Sequence, residues 1–261
     1  MHHLNRNILR DSVPGWQFIS QGNTTAEHLF YIQLALEGGC RWVQLRLKGF
    51  SEPEIIKAGL EVYGLCKAYD ATFILNDHVH LVDQVTAHGV HLGLSDMLIA
   101  EAKSLLNKHC IIGGTANTEA DVASRIMQGV HYIGLGPFRF TRTKEQLSPV
   151  LGLQEYYRIL KSENGMGQRN IPVFAIGGIT SEDIPELLNC GVDGVAVSGW
   201  VTSMVALDEW QHLTGTLLTI ENVVEQYNKW KISNAADAEK ILSRIALLGK
   251  NTSVQTTPGL Q

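Results

Sequence analysis

The segment Val43-Gln44-Leu45-Arg46-Leu47-Lys48 alternates apolar and polar residues. In an extended strand this period puts Gln44, Arg46 and Lys48 on one face and the apolar residues on the other. Two cations and an amide on an inward face are costly unless an anion meets them. The other reading is an edge strand with that face in water. Acids close two further apolar runs. Ile74-Leu75-Asn76-Asp77 ends on an Asn-Asp pair, which is also a common turn signal. Gly89-Val90-His91-Leu92 is followed by Asp96, which could equally cap a helix starting near Met97. Two carboxylates at adjacent strand ends can share one Mg²⁺, which takes one or two carboxylates together with water and phosphate oxygens. His78, His80, His88 and His91 offer zinc as the weaker reading, with no Cys or third paired ligand to complete the set.

Glycines mark the remaining candidate contacts. Gly134-Leu135-Gly136-Pro137 precedes Thr141-Arg142-Thr143-Lys144. Backbone N–H groups, two hydroxyls and an ammonium there could cradle an anion, the alternative being a polar loop. Two later runs end Ala175-Ile176-Gly177-Gly178-Ile179-Thr180 and Ala196-Val197-Ser198-Gly199. If these are the seventh and eighth strands of a barrel, their glycines fall where such folds commonly hold a phosphate. Arg46, Lys48 and Lys144 bring three positive charges, Asp77 and Asp96 two negative ones, and one Mg²⁺ two positive ones. The surplus of three favours a ligand with several phosphate charges.

The elements that must position these groups follow from the hydrophobic pattern. Eight candidate strands are Trp16–Ser20, Trp42–Leu47, Thr72–Asp77, Gly89–Leu92, Ile111–Thr115, His131–Gly136, Ile171–Gly177 and Gly194–Ser198. Stretches of helical period lie between them, such as Ile55, Ala58, Gly59, Val62 and Leu65. Gly38-Gly39, Gly129 and Gly191 stand where helices must end. Repeated strand–helix alternation predicts an α/β fold, a TIM (βα)8 barrel with a short C-terminal helical extension. A doubly wound sheet is the runner-up, without a GxGxxG after the first strand. The expected division is a barrel over residues 1–204, a closing helix and helical extension over 205–250, and a flexible tail over 251–261. Helices are expected near Asp208–Leu217, Ile220–Lys231 and Asn234–Leu248, the last stopped by Gly249.

Composition narrows the class. The 261 residues carry 21 Lys+Arg against 26 Asp+Glu, a net charge of −5, which argues against a nucleic-acid binder with a basic surface. Cys40, Cys66, Cys110 and Cys190 form no CxxC pair and read as reduced, mostly buried thiols of a cytoplasmic protein. The N-terminus has no secretory apolar core, and no run is long enough to span a membrane.

The motifs VQLRLK, ILND, GVHLGLSD, GGTANT, GPFRFTRTK, PVFAIGGIT and GVDGVAVSG, in this order from about Trp16 to Trp200, resemble the thiamine-phosphate synthase family and its thiazole tautomerase relatives. The resemblance implies a transferase that joins hydroxymethylpyrimidine diphosphate to thiazole phosphate, giving thiamine phosphate and pyrophosphate. It implies that Arg46, Lys48 and Lys144 act on the diphosphate, and that the segment Gln44, Leu45, Arg46, Leu47 and Lys48, with Asn76 and Thr115, binds the pyrimidine substrate. It implies that Asp77 and Asp96 ligate Mg²⁺, and that Thr141, Arg142, Thr143, Gly178, Ser198 and Gly199 complete the substrate contacts, Thr141 and Thr143 touching the thiazole phosphate and the last three binding it through the backbone. Leu47 stands where the family has Glu, Leu94 where it has Gln, and Asn117 where it has His. Ser198-Gly199-Trp200 replaces a Ser-Ala-Ile end. The tautomerase activity, another phosphate-binding barrel enzyme and a non-catalytic binder of thiamine precursors are the alternatives. The partners are small molecules, with no nucleic acid and no membrane, and a homo-oligomer is left open.

Overall fold

The computed structural model describes residues 14–140, 149–161, 170–207 and 218–252. Eight parallel strands close in chain order into a barrel, with the first hydrogen-bonded to the eighth. The strands are β1 (Trp16–Ile19), β2 (Trp42–Leu45), β3 (Thr72–Asn76), β4 (Gly89–Leu92), β5 (Ile111–Ala116), β6 (Tyr132–Leu135), β7 (Val173–Ile176) and β8 (Gly194–Val197). This excludes the open-sheet reading. It also excludes an edge position for β2, which pairs with both β1 and β3.

Helices follow the strands on the outside: α1 (Thr25–Glu37), α2 (Glu52–Ala68), α3 (Ile99–Leu105), α4 (Glu119–Gln128), α5 (Gly152–Lys161), α6 (Ile184–Cys190) and the short α7 (Gly199–Thr202). Their ends are written locally. Thr24 caps α1 by accepting the Glu27 N–H at 3.2 Å, and Thr118 caps α4 in a reciprocal pair with Asp121. Gly129 and Gly191 end α4 and α6 at φ +67° and +100°, a region that costs other residues strain. The link from β3 to β4 departs from the expected alternation. It holds only a 3₁₀ turn at Val79–Leu81, so β3 and β4 are joined closely.

Two further helices, α8 (Val223–Ser233) and α9 (Ala235–Thr252), form the C-terminal part. The last helix closes the barrel. It packs against α6, α1 and β1, while α8 lies on the outer side of α1. Ile245 of α9 is fully buried and fills the space beside Gly38, where even a Cβ would meet its Cγ2 at 2.2 Å. Gly249 does not stop this helix, contrary to expectation. It lies inside α9 against the Trp16 indole, and the helix runs on to Thr252, whose hydroxyl donates to the Leu248 carbonyl at 2.8 Å. The expected tail therefore loses Asn251 and Thr252 to the helix. The helix expected near 208–217 lies outside the described residues. Among the described residues no helix is long and apolar enough to cross a membrane.

Candidate active site

A cavity of about 520 Å³ opens at the C-terminal ends of the strands. Such a volume suits a small organic ligand. Ile19 and Ser20 at the end of β1, Arg46 and Lys48 after β2, Ile176-Gly177-Gly178 at the end of β7 and Ser198-Gly199-Trp200 after β8 line it. Strand pleating explains β2. Gln44 is buried inside the barrel and Arg46 is half-buried at its rim, whereas Leu45 and Leu47 pack into the core between strands and helices. The side chains of Leu45 and Leu47 point away from the cavity, which leaves only their backbone for the contact the resemblance implies. The same geometry makes the change from Glu to Leu at position 47 a packing matter.

A local network aims Arg46. Its backbone N–H donates to Ser20 Oγ at 3.0 Å, and the same oxygen lies 2.8 Å from His28 Nδ1. His28 Nε2 lies 3.2 Å from the Gly22 carbonyl, an acceptor, so the ring donates there and accepts from Ser20. Burial lowers the pKa of His28 to about 4, with the Arg46 charge acting in the same direction. The ring is therefore neutral, and this corner holds Arg46 without adding charge. His28, Ser20 and Trp200 were not among the expected site residues. The Ser20-Gln21-Gly22 step after an apolar run was their sequence signal.

The two acids converge. Asp77 follows β3 directly and adopts φ +66°, an uncommon backbone state for a residue other than Gly. Asp96 follows β4 and accepts the Gly93 N–H at 2.6 Å. It caps nothing, because α3 starts at Ile99 with Leu98 before it. The two carboxyls are close enough for each to shift the other's titration. Burial, together with the neighbouring Asp96 carboxyl, pushes Asp77 up to about 6. Burial opposes ionisation of Asp96 too, but the neighbouring Asp77 carboxyl, the Gly93 N–H and the Lys48 charge hold it below the ordinary carboxylate range. Lys48 Nζ forms an ion pair with Asp77. An all-oxygen pair of facing carboxylates beside a cavity suits a hard divalent cation completed by water and ligand oxygens.

Arg125 braces this rim from behind. It is buried on α4 and donates from Nε to the Thr115 carbonyl at 2.9 Å and from Nη2 to the Gly93 carbonyl at 2.8 Å. Thr115 and Asn76 are buried at the ends of β5 and β3. The histidines, by contrast, do not converge. His80 pairs with Glu52, His88 accepts the Phe73 N–H, and His91 points into the barrel. His78 and His80 lie with ring centroids 6.1 Å apart, and among the described residues no group of three metal-binding side chains forms.

On the opposite rim, Gly177 and Gly178 have φ of +92° and +69°. A Cβ on Gly178 would meet Arg139 Cβ at 2.9 Å. Arg139 donates to the Gly178 carbonyl at 3.1 Å and pairs with Asp183, which fixes this turn. Ser198 Oγ donates to Gln21 Oε1 at 3.1 Å. Of the residues that depart from the family pattern, Leu94 is exposed and Asn117 donates to the Gly136 carbonyl, while Trp200 reaches the cavity. Thr141, Arg142, Thr143 and Lys144 lie outside the described residues.

A closed (βα)8 barrel with cations, paired acids and glycine turns at one mouth defines a phosphate-handling barrel protein. Residues 17–201 match the family model described as thiamine monophosphate synthase. The chain is 50% identical over 186 residues to the thiamine-phosphate synthase of Flavobacterium johnsoniae, which covers 71% of this chain and 87% of that protein. It is 48% identical over 195 residues to that of Phocaeicola vulgatus, covering 74% and 92%. Among solved structures it is similar to the thiamine phosphate pyrophosphorylase of Pyrococcus furiosus, with a TM-score of 0.68, 27% identity and coverage of 94% and 97%. The chain belongs to the thiamine monophosphate synthase family. The family model ends before α8 and α9.

Proposed function

We propose that the protein condenses hydroxymethylpyrimidine diphosphate with thiazole phosphate, releasing pyrophosphate and forming thiamine phosphate. The observation that carries this reading is that Lys48, which lines the cavity together with Arg46, pairs with Asp77 beside Asp96. A tautomerase acting on a thiazole phosphate has no use for a diphosphate and metal site, and this cluster favours the synthase.

The reaction breaks the bond between the pyrimidine methylene and the diphosphate oxygen, and the thiazole nitrogen then takes the methylene through its lone pair. That nitrogen carries no proton, so no general base is needed. Catalysis here is leaving-group charge neutralisation plus alignment. Arg46 and Lys48 hold the diphosphate, and the resemblance assigns Lys144 to it as a third cation. Gln44, Asn76 and Thr115 hold the pyrimidine ring end. Asp77 and Asp96 would hold a divalent cation, Mg²⁺ in this reading, which would supply positive charge to a bound diphosphate. The turns Gly177-Gly178 and Ser198-Gly199 bind the thiazole phosphate through backbone N–H groups, and the resemblance assigns Thr141 and Thr143 to the same phosphate. Apolar walls from Ile19, Phe50, Ile176 and Trp200 exclude water, which would otherwise trap the electrophilic methylene.

The test is pyrophosphate release from purified protein given each substrate alone and both together. Release that needs both substrates and a divalent cation supports the reading. Isomerisation of a thiazole substrate without metal supports the tautomerase, and binding without turnover supports a sensor.

A further inference from the structure

The chain leaving β6 grips the Gly177-Gly178 turn after β7. Phe138 N–H donates to the Ile176 carbonyl at 2.8 Å, and Arg139 N–H donates to the Gly177 carbonyl at 3.0 Å. The Arg139 guanidinium takes the next carbonyl, donating from Nη1 to Gly178 at 3.1 Å. Only a glycine allows this approach, since a Cβ on Gly178 would meet Arg139 Cβ at 2.9 Å. Gly177, Gly178, Ile179 and Thr180 line the cavity, and Arg139 does not.

Peptide planarity turns these bonds into an orientation. In a trans peptide the C=O and the N–H that follows it point in opposite directions. With the Gly177 and Gly178 carbonyls drawn to Arg139, the N–H groups of Gly178 and Ile179 point away from it, toward the cavity that these residues line. Neither N–H meets an acceptor among the described residues, whereas the Thr180 N–H is taken by Asp183 at 2.9 Å. The guanidinium is itself fixed. It forms a two-pronged ion pair with Asp183, and it lies 4.6 Å over the Phe138 ring. Asp183 also accepts the Thr180 hydroxyl at 3.0 Å. With its charge paired to Asp183 and its side chain off the cavity wall, Arg139 acts on the cavity through the turn.

We propose that Arg139 is a positioning residue that, locked by Asp183, aims the Gly178 and Ile179 N–H groups at the phosphate of the thiazole substrate. The proposal deepens the synthase reading and rests on it for the identity of that phosphate. A guanidinium is required because one planar fork serves a carboxylate and a carbonyl together, which an ammonium on a flexible stem does not reproduce.

Calorimetric titration of thiazole phosphate into the full-length protein, with no second substrate present, tests it. Arg139→Met is expected to weaken binding about tenfold, the scale of one hydrogen bond to a charged group, and Arg139→Lys is expected not to restore it. Asp183→Asn keeps an oxygen for the Thr180 N–H but slackens the ion pair. It is expected to weaken binding in the same direction, by about threefold or more. Pyrophosphate binding in the presence of Mg²⁺ should keep its wild-type affinity in all three variants, which reports that the barrel is folded. A guanidinium that touched the phosphate directly would give the opposite pattern. Asp183→Asn would then release it and tighten binding, and Arg139→Lys would bind nearly as well as wild type. Either result overturns the proposal, as does equal loss for thiazole phosphate and pyrophosphate in Arg139→Met. Failure of the wild-type protein to bind thiazole phosphate would instead overturn the synthase reading, and the proposal with it.

Discussion

Asp77 and Asp96 come together beyond the ends of β3 and β4, each carboxyl shifting the other's titration, with Lys48 paired to Asp77. Two carboxylates brought this close repel when both are ionised, unless cations offset them. The 3₁₀ turn at Val79–Leu81 lets the two strands be joined closely, and the Gly93 N–H fixes the second acid. The arrangement therefore stores a demand for positive charge at the place where a diphosphate would leave.

Asp77→Asn and Asp96→Asn are each expected to lower kcat by about 100-fold or more, the scale of losing a group that stabilises developing charge. Thermal midpoints should stay near wild type, because strand-end loops carry little of the core. Steady-state kinetics at limiting Mg²⁺ checks this, and wild-type rates in either variant would remove the metal assignment.

Gly178→Ala places a side chain at φ +69° with its Cβ 2.9 Å from that of Arg139. The expected cost is about 1–2 kcal/mol of stability from backbone strain and crowding. The displaced turn should also raise KM for the thiazole phosphate more than KM for the pyrimidine diphosphate. Urea unfolding and the two KM values test both halves.

His28 gives a pH dependence of stability. Its folded pKa, about 4, lies below the ordinary 6.5. Between these values the unfolded chain binds a proton that the folded one does not, so stability falls as pH drops from 6.5 toward 4. The full effect is about 3 kcal/mol. In urea titrations across this range, His28→Gln should lose less stability than wild type. Parallel curves for the two proteins would contradict the neutral, buried ring.

Ile245→Ala tests whether α9 belongs to the barrel. Ile245 is fully buried against the Gly38 turn. Its truncation should cost about 2–4 kcal/mol, as for other large-to-small core changes, and leave both KM values unchanged. A stability change near zero would make α9 an accessory.

Much of the barrel was legible because each strand is a short apolar run bounded by turn residues, and all eight lie within two residues of the expected limits. The alternation at Gln44, Arg46 and Lys48 told which face they share, since pleating alone decides it. Partners across the barrel were not legible. Gln17 and His91 are single polar residues within apolar runs, and only closure of the sheet brings them to Tyr132. Gly249 misled for a related reason. A glycine near a helix end signals a stop, but here the helix runs through it, beside Trp16, to Thr252. The cavity's His28 corner depended on three consecutive small or polar residues that carry no motif of their own.

The most direct test of the site is calorimetric titration of pyrophosphate into the protein with and without Mg²⁺, in wild type and in Asp77→Asn, Asp96→Asn and Arg46→Ala. Tight binding that requires Mg²⁺ and is lost in all three variants is the predicted result. Binding that ignores the metal, or survives loss of the acids, would contradict the claim that these residues form one diphosphate site.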